Sequence, residues 1–389
     1  MIKMLLSHTM EIDEPDLALE EITKLLEPDT SLLKNSLGII SCHYDYVHSG
    51  VVDKLCHELP FDIIGTVTSG QAVEDNAETF MLTLTVLTSD DTIFETRLSE
   101  PLSNQSKNAV KEAYNNAAEG HNAKPALIFA VAGFLAGNVG DDYVDALTEA
   151  SDGAPCFGTI AVDDTLDFSN SFIIYNGKEY KDRLALSLIY GDIDPKFYIA
   201  TISDHKIMDD PALITKSKDN VIMEINEKPV IEYFKSLGLG EATEKMYSMV
   251  SMPFMVDYND GTPPVSKIFV TMDENGYAVC AGKMPEGSHL YMGVFDKEDV
   301  LLTTGNAMKK IFEENPQAKG MLIYSCISRL MSLGSSSMAE LELVDELNKE
   351  NIHVPFMMAY SGGEMCPTEI GKGKAVNRFH NNAFIACII

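Results

Sequence analysis

One pattern occurs three times along this 389-residue chain: a short apolar run, a polar loop, a helical stretch, a proline and a second apolar run. The first copy opens at Leu37-Gly38-Ile39-Ile40-Ser41. Helical spacing follows at Val51, Val52, Leu55 and Leu59, and Pro60 leads into Phe61-Asp62-Ile63-Ile64-Gly65-Thr66. The second opens at Ala126-Leu127-Ile128-Phe129-Ala130-Val131, continues through Asp141, Val144 and Leu147, and passes Pro155 into Cys156-Phe157-Gly158-Thr159-Ile160. The third opens at Met321-Leu322-Ile323-Tyr324-Ser325. There Ser337-Met338-Ala339-Glu340 reads as a capping box, and Pro355 precedes Phe356-Met357-Met358-Ala359-Tyr360. Two apolar runs joined by a helix pair as parallel strands with a helical crossover, a βαβ unit. The chain is therefore expected to be α/β with mixed sheets, built as two pseudo-related halves from repeated βαβ-type units.

Antiparallel strands add to this frame. Phe80, Leu82, Leu84 and Val86 alternate, as do Leu184, Leu186, Leu188 and Tyr190, the spacing of a strand with two distinct faces. Asn176-Gly177 and Asn275-Gly276 predict two-residue hairpins. Further helices are expected at 14–27, 105–119, 229–237 and 297–314, and a buried strand at Ala383–Ile389. The most polar stretch, from Asp209 to Asn220, sets the expected domain boundary, giving domains 1–217 and 218–389.

Composition narrows the function. A net charge of −30 opposes nucleic-acid binding, which needs clustered cations to displace counterions, and opposes docking on anionic membranes. Seven scattered cysteines without a C-x-x-C pair are neither a disulfide framework nor a zinc ribbon. They fit a reducing compartment. The N-terminal apolar run is too short for a signal peptide, and no stretch approaches the ~20 apolar residues of a membrane span. The expected location is the cytoplasm, with no membrane insertion.

Ligands of α/β sheets bind where strands end and helices begin. That rule selects Ser41 to Ser49, including Tyr44 and Asp45, then Ser325-Cys326-Ile327-Ser328-Arg329, and Tyr360-Ser361-Gly362-Gly363-Glu364. The chain has only four arginines, Arg97, Arg183, Arg329 and Arg378, and a guanidinium is the better bidentate partner for a carboxylate. Arg329 and Glu364 either hold a ligand's carboxylate and ammonium or pair with each other. Cys326 or Cys42 with His380 or His43 would make a nucleophile and base only in hydrogen-bond contact. His43, His48, Cys326, Cys366 and His380 lack a recognised metal-ligand spacing. No phosphate-binding or nucleophile-elbow motif is present.

These residues carry a family resemblance. Ser325-Cys326 with Arg329, the acidic helix near Glu340, Pro355-Phe356 through Gly363-Glu364, and His380-Asn381 before the last strand resemble the FIST C-terminal domain. Asp13-Glu14-Pro15 with Ala18, Ile64-Gly65-Thr66 through Ser69-Gly70, and Val221 to Asn226 followed by Pro229 resemble the FIST N-terminal domain. The resemblance spans nearly the whole chain. It implies a sensory, signal-transducing module that binds a small polar metabolite such as an amino acid. From the motifs no cofactor or metal is expected, and with no room for an output domain the signal is expected to pass through a separate signalling protein. The expected ligand contacts are Arg329 as anchor, with Glu364, Cys326, Ser325, Tyr360, Asn381, His380, Tyr44 and Asp45. A cysteine-dependent hydrolase or transferase, and an interaction scaffold without a small ligand, are the alternatives.

Overall fold

Each proline-marked copy forms the parallel pair that its pattern predicts. The computed structural model describes residues 2–103, 105–135, 137–165, 167–238, 252–351 and 353–389. Its first unit contains β1 (Ile2–Thr9), α1 (Pro15–Leu26), β2 (Asn35–Cys42), α2 (Val51–Glu58), β3 (Asp62–Val67), β4 (Gln71–Val73), β5 (Asn76–Glu78) and β6 (Leu82–Ser89). The second contains β7 (Ile93–Leu98), α3 (Ser106–Ala117), β8 (Leu127–Ala132), α4 (Gly140–Ala150), β9 (Cys156–Ile160), β10 (Ile173–Tyr175), β11 (Lys178–Tyr180) and β12 (Leu184–Tyr190). The third contains β13 (Lys196–Ala200), α5 (Lys297–Glu314), β14 (Met321–Cys326), α6 (Ile327–Leu333), α7 (Ala339–Glu350), β15 (Phe356–Ser361), β16 (Glu364–Gly371), β17 (Lys374–His380) and β18 (Phe384–Ile388). Both halves of the chain thus carry the same unit, the first half twice and the second once.

Strand order is the same in all three sheets: β1-β6-β2-β3-β10-β11, β7-β12-β8-β9-β16-β17 and β13-β18-β14-β15-β4-β5. The two central strands of each are parallel and their outer neighbours antiparallel. The last two strands of each sheet are a hairpin supplied by another unit. The second unit's hairpin completes the first sheet, the third unit's completes the second, and the first unit's completes the third. This exchange ties the carboxyl ends of the parallel strands together. Gly362 N donates to Ile160 O at 2.8 Å, Ile160 N to Gly363 O at 2.9 Å, and Tyr360 N to Gly70 O at 3.0 Å.

The inner faces of the three sheets meet in one core containing Leu37, Ile64, Phe129, Phe157, Tyr324 and Met357. Their outer faces carry helices: α1 and α2 on the first sheet, α3 and α4 on the second, α5 and α7 on the third. Strands buried on both faces read as near-continuous apolar runs, such as Leu127–Ala132, where every residue is buried. Among the described residues no helix is long and apolar enough to cross a membrane.

A subdomain interrupts the third unit between β13 and α5, closed by the Ile207–Gly293 bridge. Its antiparallel strands pack around Phe234, Phe254 and Phe269. The polar stretch at 216–220, expected to mark a boundary, lies in its hairpin of Ala212–Lys218 with Val221–Ile225. Asn176-Gly177 forms the tight hairpin expected, whereas Asn275-Gly276 lies in the longer loop 273–277, where Asp273 accepts from the backbone N–H of Asn275 and Tyr277. The fully buried Lys267 fastens the subdomain to the second and third units, bonding Asp141 at 2.9 Å and Phe379 O at 2.7 Å.

Close strand approach fixes one residue in the second sheet. A Cβ on Gly158 would overlap the carbonyl of Ala130 on β8. Gly158→Ala is expected to cost roughly 1–3 kcal/mol or more through overpacking, read as a lower urea midpoint at an unchanged m-value.

Candidate functional site

Alternation along β14 and β15 sorts the third unit's polar residues into two layers. Leu322 and Tyr324 join the central core, and Ile323 packs under the helices. Cys326 therefore continues the inner face, and Ser325 the outer. On β15, Met357 and Ala359 point inward, so Ser361 does too, while Tyr360 lies with Met358 on the helix side.

The outer layer is closed by an ion pair. Arg329 and Glu340 are both fully buried. Arg329 Nε donates to Glu340 Oε1 at 2.9 Å, and the rest of the guanidinium reaches Val300 O at 3.1 Å, Thr304 Oγ1 at 2.7 Å and Thr201 O at 3.3 Å. The Phe295 ring lies 5.4 Å from it. Glu340 also accepts from Ser325 Oγ at 2.8 Å and Thr304 Oγ1 at 2.6 Å. Arg329, expected as a ligand anchor or as the partner of Glu364, is instead occupied by protein groups, with Glu340 as its carboxylate. Ser325 belongs to this network. Tyr360 borders it, its hydroxyl 3.5 Å from Ser337 O and its phenol pushed well up by burial and then by Glu340. The expected capping box fails for the same reason: α7 has Met338 at its N-cap with no side-chain cap bond, because Glu340 turns inward.

The inner layer is neutral and incompletely bonded. Ser361 Oγ donates to Glu364 Oε1, and Ser328 Oγ hydrogen-bonds to Asn382 Oδ1 at 2.8 Å. Cys326 touches Glu364 and Ser328. Burial pushes the Glu364 carboxyl up to about 8 against the opposing bond from Ser361. Burial and then Glu364 push the Cys326 thiol up to about 12. The Cys326 thiol and the Ala383 backbone N–H also approach the Glu364 carboxyl, whereas Asn381 Oδ1 and Asn382 Nδ2 are buried with no hydrogen-bond partner. A buried polar atom left unpaired costs about 1–3 kcal/mol, so each of these atoms calls for a partner. In the first unit, the Ser41–Thr66 cross-strand pair occupies the position of Cys326–Ser361, and Ser41 Oγ is likewise unpartnered. Cys42, its apparent counterpart in sequence, faces the helices.

Of the remaining expected residues, His380 stands directly across from Glu364 on β17, and Tyr44 and Asp45 lie in the first unit. His380 is fully buried, with Nε2 3.1 Å from Cys366 O, and burial pushes its imidazole down to about 3. Tyr44 and Asp45 gather around His43, which sits 3.4 Å from both Asp45 and Asp164. A thiol held protonated and an imidazole bonded to a backbone carbonyl do not make an activated nucleophile. Among the described residues no group of three His, Cys, Asp or Glu is arranged to hold a metal. Sequence reasoning selected the segments that hold Ser328 and Ser361 without giving either a contact, read Glu340 as a helix cap, and did not name Asn382.

Comparison with known proteins supplies the family. The FIST N domain model matches residues 36–228 and the FIST C domain model residues 231–367. A search among curated proteins gave no match. Among solved structures, the chain is similar to PurLQS from Thermotoga maritima, at 11% identity and TM-score 0.21, covering 100% of this chain and 72% of that one. It is also similar to phosphoribosylformylglycinamidine synthase II from Thermotoga maritima, at 10% identity and TM-score 0.21, covering 100% and 71%. A TM-score of that size carries no argument about fold or function.

Two measurements test the layers. Arg329→Met strands Glu340 in the interior and is expected to cost about 3–5 kcal/mol in urea unfolding, most of it recovered by adding Glu340→Leu. For Glu364, the folded protein keeps a proton that the unfolded chain releases near pH 4.5. Stability therefore falls as pH rises from about 4.5 to about 8, with a slope of up to about 1.4 kcal/mol per pH unit. Glu364→Gln removes that slope in unfolding curves collected across the window.

Proposed function

Because the chain belongs to the FIST family, whose domains serve as sensory modules in signal transduction, we propose that it senses a small zwitterionic metabolite, an amino acid, at the inner layer of the third unit. The observation that carries this reading is the buried Glu364 carboxyl together with the buried, unpartnered amide atoms of Asn381 and Asn382. Asn382 Nδ2 is a donor suited to a carboxylate. Asn381 Oδ1 and Glu364 Oε2 are acceptors suited to an ammonium. A zwitterion also avoids the repulsion that a chain of net charge −30 exerts on anions. Arg329 acts indirectly, by fixing the strand end from which Cys326 projects. The signal passes to a separate partner in the cytoplasm.

An ammonium next to Glu364 favours its ionised form, so binding releases a proton and tightens as pH rises toward 8. Calorimetry with the standard amino acids at pH 6 and pH 8 tests this. One chemical class is expected to bind more tightly at the higher pH, and Glu364→Gln is expected to weaken it at least about tenfold. No saturable binding by any amino acid, or equal affinity in wild type and Glu364→Gln, would overturn the reading.

A further inference from the structure

A cavity of about 520 Å³ opens where the inserted subdomain meets β13 and β16. Its walls include Phe197 and Ile199 from the edge strand, Met255 and Tyr291 from the subdomain, and Pro367 from β16, and His380 lines it from β17. A volume of this order suits a small organic ligand, and walls that are largely apolar with few convergent polar groups are the usual make-up of such sites.

His380 gives the cavity its chemistry. The carbonyl of Cys366 can only accept, so the contact at 3.1 Å places the imidazole hydrogen on Nε2. Nδ1 is left as a bare lone pair, and it is buried without a partner. The low basicity that burial imposes on the ring keeps it neutral, hence an acceptor at this nitrogen. The side chain is 1% exposed, so bulk water does not serve it.

We infer that this cavity is a binding site, adjoining the inner layer through the Glu364–His380 strand pair, for a planar and mostly apolar molecule that donates one O–H or N–H to His380 Nδ1. Lys310 and Asp204, both exposed and on the same lining, set one charge of each sign beside the cavity. The site does not depend on the metabolite reading, since none of the polar atoms of Glu364, Asn381 and Asn382 takes part in it.

The probes are 2-naphthol and 2-methoxynaphthalene, which share a ring system and differ in the donor, titrated by their own fluorescence. Wild type is expected to bind 2-naphthol saturably and at least about tenfold more tightly than the ether, the ratio that one buried hydrogen bond supports. His380→Phe keeps a ring and loses the acceptor, so it is expected to bind the two compounds equally. Ile199→Trp fills the cavity from the half-buried edge strand and is expected to abolish both. Absence of saturable binding, equal affinities in wild type, a preference retained in His380→Phe, or binding retained in Ile199→Trp would each overturn the inference. If near-UV circular dichroism shows that His380→Phe does not fold, the wild-type ratio and Ile199→Trp decide the matter.

Discussion

The central strands of every sheet have two faces to bury. One meets the shared core and the other meets helices, so a polar side chain at a strand end has no water to turn to. It must find a partner inside the protein or be left for a ligand. The third unit turns its polar residues both ways, one step apart along the same two strands. Ser325 and Tyr360 turn outward to the Arg329–Glu340 network, and Cys326 and Ser361 turn inward to Glu364. Removing either charge of the outer pair would leave the other unpaired in a region where ions are poorly solvated. The network therefore fixes the direction of β14 where it matters, at the residue from which the inner layer starts.

The parallel pairs could be read in the sequence because their signals are local. Pro60, Pro155 and Pro355 end helical patterns and start strands, and each apolar run pairs with its nearest neighbour. The hairpin exchange could not be read, because strands β4, β10 and β16 carry nothing that says which sheet they join. That choice lies in contacts between residues hundreds of positions apart, such as Ala359 with Gln71. The site was half legible for a related reason. Ser325 and Cys326 are adjacent in sequence, yet strand alternation sends them to opposite sides. Arg329 was correctly singled out as unusual, but a rare guanidinium fits a buried carboxylate as well as it fits a ligand, and Glu340 was already explained as a helix cap.

The two candidate sites differ in kind. The inner layer lies at the ends of the strands and is polar. The cavity beside His380 is bounded by the subdomain and the edge of the third sheet and is mostly apolar. Residues 380 and 381 stand next to each other on the chain, and Asn381 N bonds to Ser266 O of the subdomain. Occupancy of either place would thus be felt by the same short stretch of backbone.

The exchanged hairpins also set an order of events during synthesis. When β3 leaves the ribosome, the strand that will cover its open edge, β10, lies more than a hundred residues away, and β9 waits for β16 about twice as long. The hairpin β4–β5 is made early and has no sheet to join until β15 exists, near the end of the chain. Unpaired edges held open this long invite pairing with other chains. Contacts of such sequence separation also close slowly. A nascent chain of this fold should depend on being shielded until its last unit arrives, and a truncated one would expose an edge in more than one sheet.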